Sequence, residues 1–177
     1  MTADSMTADS MTADSVTADD IARAAERIAP WVRRTPVNLC PTFGAQVACK
    51  ADHLQRSSSF KFRGALNRLL ALDEAGRRRG VLTASTGNHG IAMATAGQLL
   101  EVPVTVLVAR STDASIIARL RSLGATVDTV DTTDCVESER EARRRASVEE
   151  RPFVSPYNDP LVIAGQGTIA VELLGKR

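Results

Sequence analysis

The sequence lacks a long apolar run, an excess of either charge and any paired-cysteine motif. No apolar stretch in its 177 residues approaches the ~20 that a membrane-spanning helix needs, and the first residues have neither the basic start nor the hydrophobic stretch of a targeting segment. A formal net charge of +1 gives no electrostatic preference for nucleic acid or a membrane surface, so we expect neither as a partner. The three cysteines form no CxxC pair, which predicts a reducing compartment, by default the cytoplasm.

The opening residues, MTADSMTADSMTADSVTADD, repeat an acidic five-residue unit with few large apolar side chains. Such a segment cannot bury a core, so we predict a disordered tail over residues 1–18. A helix is expected to begin near Asp19 or Asp20 and to end before Pro30, since the apolar residues between them recur at the helical period.

Strand-like and helical segments alternate in the second half of the chain. Apolar, β-branched runs predict strands over 81–85, 102–109, 125–130 and 153–157, and helical periodicity predicts helices over 90–100, 114–124, 135–147 and 165–174. Strands joined by helices of this length are parallel, with right-handed crossovers. We therefore predict an α/β fold in which residues 80–157 form a small three-layer domain around a parallel sheet.

Lysine is scarce, and one of the three lysines stands at an unusual place. In SSSFKFRGA, residues 57–65, Lys61 follows serines that can cap a helix and precedes the apolar helical pattern of Leu66, Leu69 and Leu70. A cation is disfavoured at a helix N-terminus by up to ~1 kcal/mol. Two interpretations stay open from this segment alone. Lys61 is either a surface lysine that extends into water, or an amine whose lowered pKa makes it a nucleophile able to form a Schiff base.

A second segment, TASTGNHG at residues 83–90, joins a predicted strand to a helix N-terminus through Gly87. The amides of such a turn converge outside the strand end and can bind an anion. Four side chains add further donors: Ser85, Thr86, Asn88 and His89. The same residue types also make an ordinary tight turn and helix cap. The segment lacks the GxGxxG spacing of dinucleotide sites, and the chain has no P-loop, which weakens a nucleotide-binding interpretation.

Together, SSSFKFRGA and TASTGNHG resemble the fold-type-II family of pyridoxal-phosphate enzymes, and within it the threonine and serine dehydratases and the serine racemases. KADHLQ at 50–55 and DPLVIAGQGTIAVELL at 159–174 are similar to two further segments of that family, in the same order. The resemblance extends from about residue 20 to the last residue. It implies a fold like that of the tryptophan synthase β-subunit, with the small domain inserted in a large one represented here by residues 19–79 and 158–177.

The resemblance implies a role for each residue of the two motifs. Lys61 would carry pyridoxal phosphate as a Schiff base and move the α-proton of the substrate, with Phe60 packed beside the cofactor ring. Asn88 would hydrogen-bond the ring hydroxyl oxygen and contact the amino-acid substrate. The remaining residues of the loop would surround the substrate carboxylate: Ser85, Thr86, Gly87 and His89. No metal is implied.

The implied reaction is the α,β-elimination of a small hydroxy amino acid such as serine or threonine, which yields a 2-oxo acid and ammonia. Racemases of the family have a serine where this chain has Thr86, which favours elimination over racemisation. Two other departures are Asp52 in place of a glutamate and Ser57-Ser58 in place of Thr-Gly. TASTGNHG is also similar to dehydratase-like proteins of hydroxyectoine breakdown, so a compound of that pathway is an alternative substrate.

Members of the family continue well beyond residue 177, and the following part holds the glycine-rich loop for the cofactor phosphate and most of the large domain's sheet. We therefore expect the isolated chain to bind the cofactor weakly without turnover, and to leave the apolar residues of the Lys61 helix and of the last helix exposed. The alternative to an active ammonia-lyase is an inactive fragment, or one half of a split enzyme that needs a complementing C-terminal chain. A homodimer is a further alternative. A plain nucleotide-binding α/β domain would leave SSSFKFRGA unexplained.

Overall fold

The computed structural model describes residues 15–175, so residues 1–14 of the predicted tail and the last two residues, Lys176 and Arg177, lie outside the described part. The helices are α1 (Ala18–Ile28), α2 (Lys61–Leu70), α3 (Glu74–Arg79), α4 (Asn88–Leu100), α5 (Ala114–Ser122), α6 (Cys135–Val148) and α7 (Pro160–Leu174). The strands are β1 (Val37–Leu39), β2 (Ala48–Lys50), β3 (Val81–Ala84), β4 (Val104–Ala109) and β5 (Thr126–Val130). β1 and β2 form a short antiparallel hairpin.

α1 begins slightly earlier than the sequence pattern predicts, because Thr17 caps it. Thr17 Oγ1 accepts a hydrogen bond from the amide of Asp20 (3.2 Å), and the Asp20 carboxylate accepts one from the amide of Thr17 (2.8 Å). This reciprocal pair is a capping box, which satisfies two amides at the helix start. Thr17 and Ala18, which the prediction assigned to the tail, therefore belong to the cap and first turn of α1.

A parallel sheet with the strand order β3-β4-β5 confirms the predicted α/β class. Side chains alternate between its two faces: Val81 and Val106 pack with α4 and α5, whereas Leu82 and Leu107 pack with α6. Every residue of β4 is buried, as expected for a central strand that is covered on both faces. The sheet with its helices is thus the three-layer arrangement that the alternating pattern predicts.

The strand predicted over 153–157 is wrong, since the structure has there only an isolated bridge to Leu82 of β3. Pro156 has no amide to donate to a ladder. Ser155 Oγ accepts a hydrogen bond from the amide of Tyr157 (3.4 Å), which holds a turn in place of an extended strand.

α2 packs against both α4 and α7. Leu66 and Leu69 are 0% exposed, so the expectation that they would be left uncovered is wrong: helices of the same chain bury them. On α7 the expectation is confirmed for Val171, Leu173 and Leu174, which are 42%, 44% and 72% exposed, but not for Ile169, which is half-buried. One apolar cluster joins α2 to β3 and β4, so a domain boundary near residue 80 stays a prediction.

α7 begins at Pro160 rather than at residue 165. Asp159 caps it by accepting hydrogen bonds from the amides of Leu161 (2.9 Å) and Val162 (3.1 Å), and proline suits the first helical position, where no amide partner is needed. The segment Gly165–Thr168 therefore lies within the helix. No helix in residues 15–175 is long and apolar enough to cross a membrane.

Candidate active site

A cleft of about 380 Å³ lies at the carboxyl edge of the parallel sheet, the edge at which α/β sheets usually bind ligands. It is lined by Lys61, Ala84, Ser85, Thr86, Gly87, Asn88, His89, Leu107, Cys135, Val136, Ser138, Glu139, Pro156 and Tyr157. Four parts of the chain meet there: the start of α2, the loop between β3 and α4, the start of α6 after β5, and the turn at Pro156 and Tyr157 before α7.

Lys61 is the first residue of α2, and its half-buried side chain reaches the cleft. Its Nζ donates a hydrogen bond to the carbonyl oxygen of Pro156 (3.2 Å) and lies 5.3 Å from the ring centre of Phe60 and 5.4 Å from that of Tyr157. Within residues 15–175 no carboxylate forms an ion pair with it. Burial therefore lowers the pKa of Lys61 below that of an ordinary lysine. The lowered pKa favours the interpretation of Lys61 as a nucleophilic amine over its interpretation as a surface lysine that extends into water.

The serines before Lys61 do not cap α2, contrary to the prediction. The helix start has no side-chain cap. Ser57 and Ser59 are buried and turn their hydroxyls toward each other (3.5 Å), and Ser58 adopts a left-handed backbone with φ of 62°. The serine hydroxyls are thus used within their own turn. Other contacts must hold the first turn of α2.

In the loop from Ser85 to Asn88, one side chain caps the start of α4 and two others are exposed to solvent. Ser85 Oγ accepts hydrogen bonds from the amides of Gly87 (3.3 Å) and Gly90 (3.0 Å), so the turn-and-cap interpretation is confirmed for this serine. Thr86 and Asn88 are exposed. A Cβ added at Gly87 would meet no atom within 4 Å, so there is free space beside the backbone of the loop.

His89 is buried beneath the loop, with 4% of its surface exposed. Thr83 Oγ1 donates to the carbonyl oxygen of Val154 (2.8 Å) and therefore accepts from His89 Nε2 (3.1 Å), which places the ring proton on Nε2. Among the described residues, Nδ1 has no partner. Burial, with a smaller contribution from the nearby charge of Lys61, lowers the pKa of His89 to about 3. The imidazole is therefore neutral at physiological pH.

The structure brings nearly all of the sequence-predicted site residues to one cleft. Lys61 lines this cleft together with the residues of the loop, which are Ser85, Thr86, Gly87, Asn88 and His89. Phe60 is the exception: it contacts the amine of Lys61 through its ring but does not line the cleft, and it is 42% exposed.

Sequence reasoning missed Pro156, Tyr157 and the first turn of α6, which begins at Cys135. The rule that carboxyl ends of parallel strands share one edge could have placed α6 there, because it follows β5 directly. Pro156 and Tyr157 carry no such signal, since they belong to a segment that the apolar pattern assigns to a strand.

Comparisons with known proteins agree with the motifs. A family profile described as "Pyridoxal-phosphate dependent enzyme" matches residues 28–177. The L-threo-3-hydroxyaspartate ammonia-lyase of a Pseudomonas species is 42% identical over 161 residues, covering 88% of this chain and 50% of the relative. The L-threonine ammonia-lyase of Thermotoga maritima is 38% identical over 159 residues, which cover 88% of this chain and 39% of the relative.

Among solved structures, maize serine racemase matches with a TM-score of 0.82 and 33% identity, covering 89% of this chain and 49% of that one. The chain thus spans about half the length of its relatives, or less.

Proposed function

The chain belongs to the family of pyridoxal-phosphate dependent enzymes, and we propose that its cleft forms the lysine and substrate side of an ammonia-lyase active site for a small hydroxy amino acid. The observation that supports this best is the half-buried Lys61 amine, which lines one cleft with the loop of residues 85–89. Because the chain spans about half of each relative, the activity of the whole protein is itself part of the proposal.

The residues present fit pyridoxal phosphate, the cofactor on which the family depends. Lys61 would hold the cofactor through its amine, because burial makes the neutral, nucleophilic form of this lysine more populated than in ordinary lysines. Phe60 offers an apolar ring next to that amine. Asn88, exposed at the start of α4, offers a side-chain amide for the ring hydroxyl oxygen. When bound, the cofactor withdraws electrons from the α-carbon of the amino acid.

The loop is suited to the carboxylate of the substrate. The first backbone amides of a helix have no hydrogen-bond acceptor within the helix, and the helix N-terminus carries a partial positive charge. Those of Asn88 and His89 have no acceptor among the described residues, and the free space at Gly87 lets an anion approach. The imidazole of His89 is neutral and bound to Thr83, so His89 would contribute through its backbone amide rather than as a cation.

Lys61 would then act as the base. Its Nζ, held by the carbonyl oxygen of Pro156, would accept the proton from the α-carbon of the substrate, and the β-hydroxyl would take up a proton and leave as water. The resulting enamine would tautomerise to an imine, and a water molecule would hydrolyse this imine to a 2-oxo acid and ammonia. The exposed Thr86 occupies the position where racemases of the family have a serine, which supports elimination over racemisation. Serine, threonine and 3-hydroxyaspartate are the substrates that we propose to compare, with the hydroxyectoine-pathway compound as the alternative.

Covalent labelling tests the proposal. The chain is incubated with pyridoxal phosphate, reduced with borohydride and digested, and the labelled peptide is identified by mass spectrometry. We expect the label on Lys61, and its loss in Lys61→Arg, which keeps the positive charge. Lys50 is the internal control, because its ammonium is tied to Glu172. Label on Lys50 or Lys176 in place of Lys61 would overturn the proposal.

A further inference from the structure

We propose that Arg63 is a positioning residue for Lys61, because it ties the first turn of α2 to Asp52 and Glu172 through a buried ion network. The proposal rests on the proposed function only in taking Lys61 as the reactive amine. The network consists of Lys50, Asp52, Arg63 and Glu172, together with the hydroxyls of Thr35 and Thr168.

The start of α2 needs such an anchor. Its first turn has no side-chain cap, and the amides of Phe62 and Arg63 reach only the carbonyl oxygens of Ser59 (3.4 Å) and Phe60 (3.1 Å). Uncapped helix ends fray, since their amides lack partners. A lysine that must present its amine at a fixed point therefore stands on a turn with little local support.

Arg63 supplies that support from the far side of the helix. Its side chain is 0% exposed, with Nε 2.7 Å and Nη2 3.1 Å from the carboxylate of Asp52. Nη1 donates to Glu172 (2.6 Å) and lies 3.4 Å from Thr168 Oγ1. The planar guanidinium thus bridges the segment after β2 to α7, with two donors on Asp52 and a third on Glu172.

The charges of the network balance. Arg63 and Lys50 face Asp52 and Glu172, and Thr35 Oγ1 adds a hydrogen bond to Asp52 (2.5 Å). Burial alone would raise the pKa of both carboxyls, but the hydrogen bonds from the cations outweigh it and the pKa of each is lowered. Removing one partner of a buried ion pair leaves an uncompensated charge. Substitution of one charged residue therefore weakens the whole network that holds Arg63, and not a single ion pair alone.

The geometry of the helix links this anchor to the amine. Residues two apart on an α-helix point to nearly opposite sides, so Arg63 enters the interior while Lys61 enters the cleft. The amide of Gly64 also donates to Gln166 Oε1 of α7 (3.3 Å). If the first turn loosens, Lys61 leaves its partly buried place and becomes more hydrated, which raises its pKa.

The groups around Lys61 in the cleft do not belong to the network. They are the carbonyl oxygen of Pro156, the ring of Tyr157, the neutral His89, the thiol of Cys135 and Glu139, which is paired with Arg143. The ring of Phe60, next to the amine, does not belong to the network either. Substitutions within the network therefore remove no group that contacts the amine directly, and they can act on Lys61 only through the position of the first turn of α2.

The test measures the pH profile of Lys61 acetylation by acetic anhydride, read by mass spectrometry on the intact chain. The reagent needs no cofactor, so failure of the proposed function would leave this readout unaffected. Arg63→Lys keeps the charge but loses the bridge, and Glu172→Gln removes one negative charge. Both variants should raise the midpoint of the pH profile of Lys61 acetylation by roughly half a pH unit. The rate of Lys61 labelling at pH 8 is then about threefold lower than in wild type.

The direction in which Glu172→Gln shifts the midpoint of Lys61 acetylation distinguishes a loosened first turn of α2 from a direct electrostatic effect of the removed charge. Direct electrostatics alone predicts a lower midpoint, because a negative charge has been removed, whereas a loosened turn predicts a higher one. A lowered or unchanged midpoint in Glu172→Gln would overturn the proposal. Arg110→Lys, in an exposed pair with Asp131, is the matched control and should leave the profile unchanged. Circular dichroism checks folding, and Glu172, at 16% side-chain exposure, keeps the test readable if Arg63→Lys does not fold.

Discussion

Gly165 of α7 lies so close to Gly64 of α2 that a Cβ built on Gly165 would stand 2.6 Å from the Gly64 Cα. A Cβ on Gly64 would likewise stand 2.6 Å from the carbonyl oxygen of Val162. The side-chain amide of Asn67 donates to the carbonyl oxygen of Leu161 (2.7 Å) across the same contact. The helix that begins with Lys61 is therefore packed backbone against backbone on α7, which gives a physical reason for Gly64 in RGA and for Gly165 in AGQG.

Gly64→Ala should destabilise the chain by about 1–3 kcal/mol, the usual cost of overpacking a tight contact. Alanine is favoured over glycine within a helix by ~1 kcal/mol, so a loss of stability would show that the clash outweighs this gain. Urea unfolding followed by circular dichroism measures the change. Gly87→Ala is the control, because a Cβ there meets nothing, and it should leave the unfolding free energy nearly unchanged. Equal stability of Gly64→Ala and wild type would contradict the packing argument.

A long apolar pattern located most helices in the second half of the chain, but not the start of α7, which lies five residues before the predicted one because Asp159 caps the helix there. α4, α5 and α6 span nine residues or more each, and their periodicity located them within about two residues at each end. β1 and β2 have three residues each, and α3 has six, too few for a period to appear. The mistaken strand after Pro152 has an apolar pattern, but its pairing with Leu82 ends after one bridge, because Pro156 has no amide to donate and Ser155 holds a turn.

The site was predictable only as far as local motifs reach. SSSFKFRGA and TASTGNHG identify Lys61 and the loop because each motif is contiguous in the chain. The ion network was not predicted, because Arg63 meets Glu172 across 109 residues and no local pattern encodes such a contact. The exposure of Leu66 was misjudged for the same reason: only the tertiary structure shows that α7 folds back onto α2.

Thr86→Ser should raise racemisation of serine relative to 2-oxo acid formation, since threonine is stiffer at χ1 and less free to approach the α-carbon. The gain could reach roughly a hundredfold, a usual contribution of a positioned proton-transfer group. The measurement needs a chimera in which the C-terminal half of the Pseudomonas ammonia-lyase follows this chain. Chiral chromatography of serine and an assay of the 2-oxo acid give the ratio. Thr86→Ala controls for the loss of the methyl group, and an unchanged ratio in Thr86→Ser would contradict the role of Thr86.

Glu172→Gln should cost stability at neutral pH and much less in acid. Hydrogen bonds from Arg63 and Lys50 outweigh burial and hold the pKa of Glu172 below its usual value. A carboxyl with a lowered folded-state pKa contributes stability above its unfolded pKa of about 4.3, and this contribution is lost as the pH falls through the folded value. The stability difference from wild type should thus be constant from pH 5 to 7 and shrink below about pH 4.

Urea unfolding at several pH values measures the Glu172→Gln effect. Asp131→Asn is the control, since its carboxylate is 90% exposed and pairs with Arg110 at the surface, where ion pairs contribute little. A difference between Glu172→Gln and wild type that persists undiminished to pH 3 would show that shape rather than charge matters at this position.

His89 should make the chain less stable as the pH falls through the range in which free histidine titrates. Its pKa in the folded chain is lowered to about 3 by burial and by Lys61, against about 6.5 when unfolded. Between these values the unfolded chain binds a proton that the folded chain does not, so stability rises with pH and is fully present only above about 6.5. The contribution lost between pH 7 and pH 5 is roughly 2 kcal/mol.

His89→Gln removes this titration while keeping a polar side chain that can bond Thr83. The stability advantage of wild type over the variant should therefore decrease on acidification from pH 7 to pH 5, in urea unfolding at matched ionic strength. NMR gives an independent check, because the ring signals of His89 should not shift over that range. A ring that titrates near pH 6.5 would show that the imidazole is hydrated, and would place it, rather than the backbone amide alone, among the groups that can bind the substrate carboxylate.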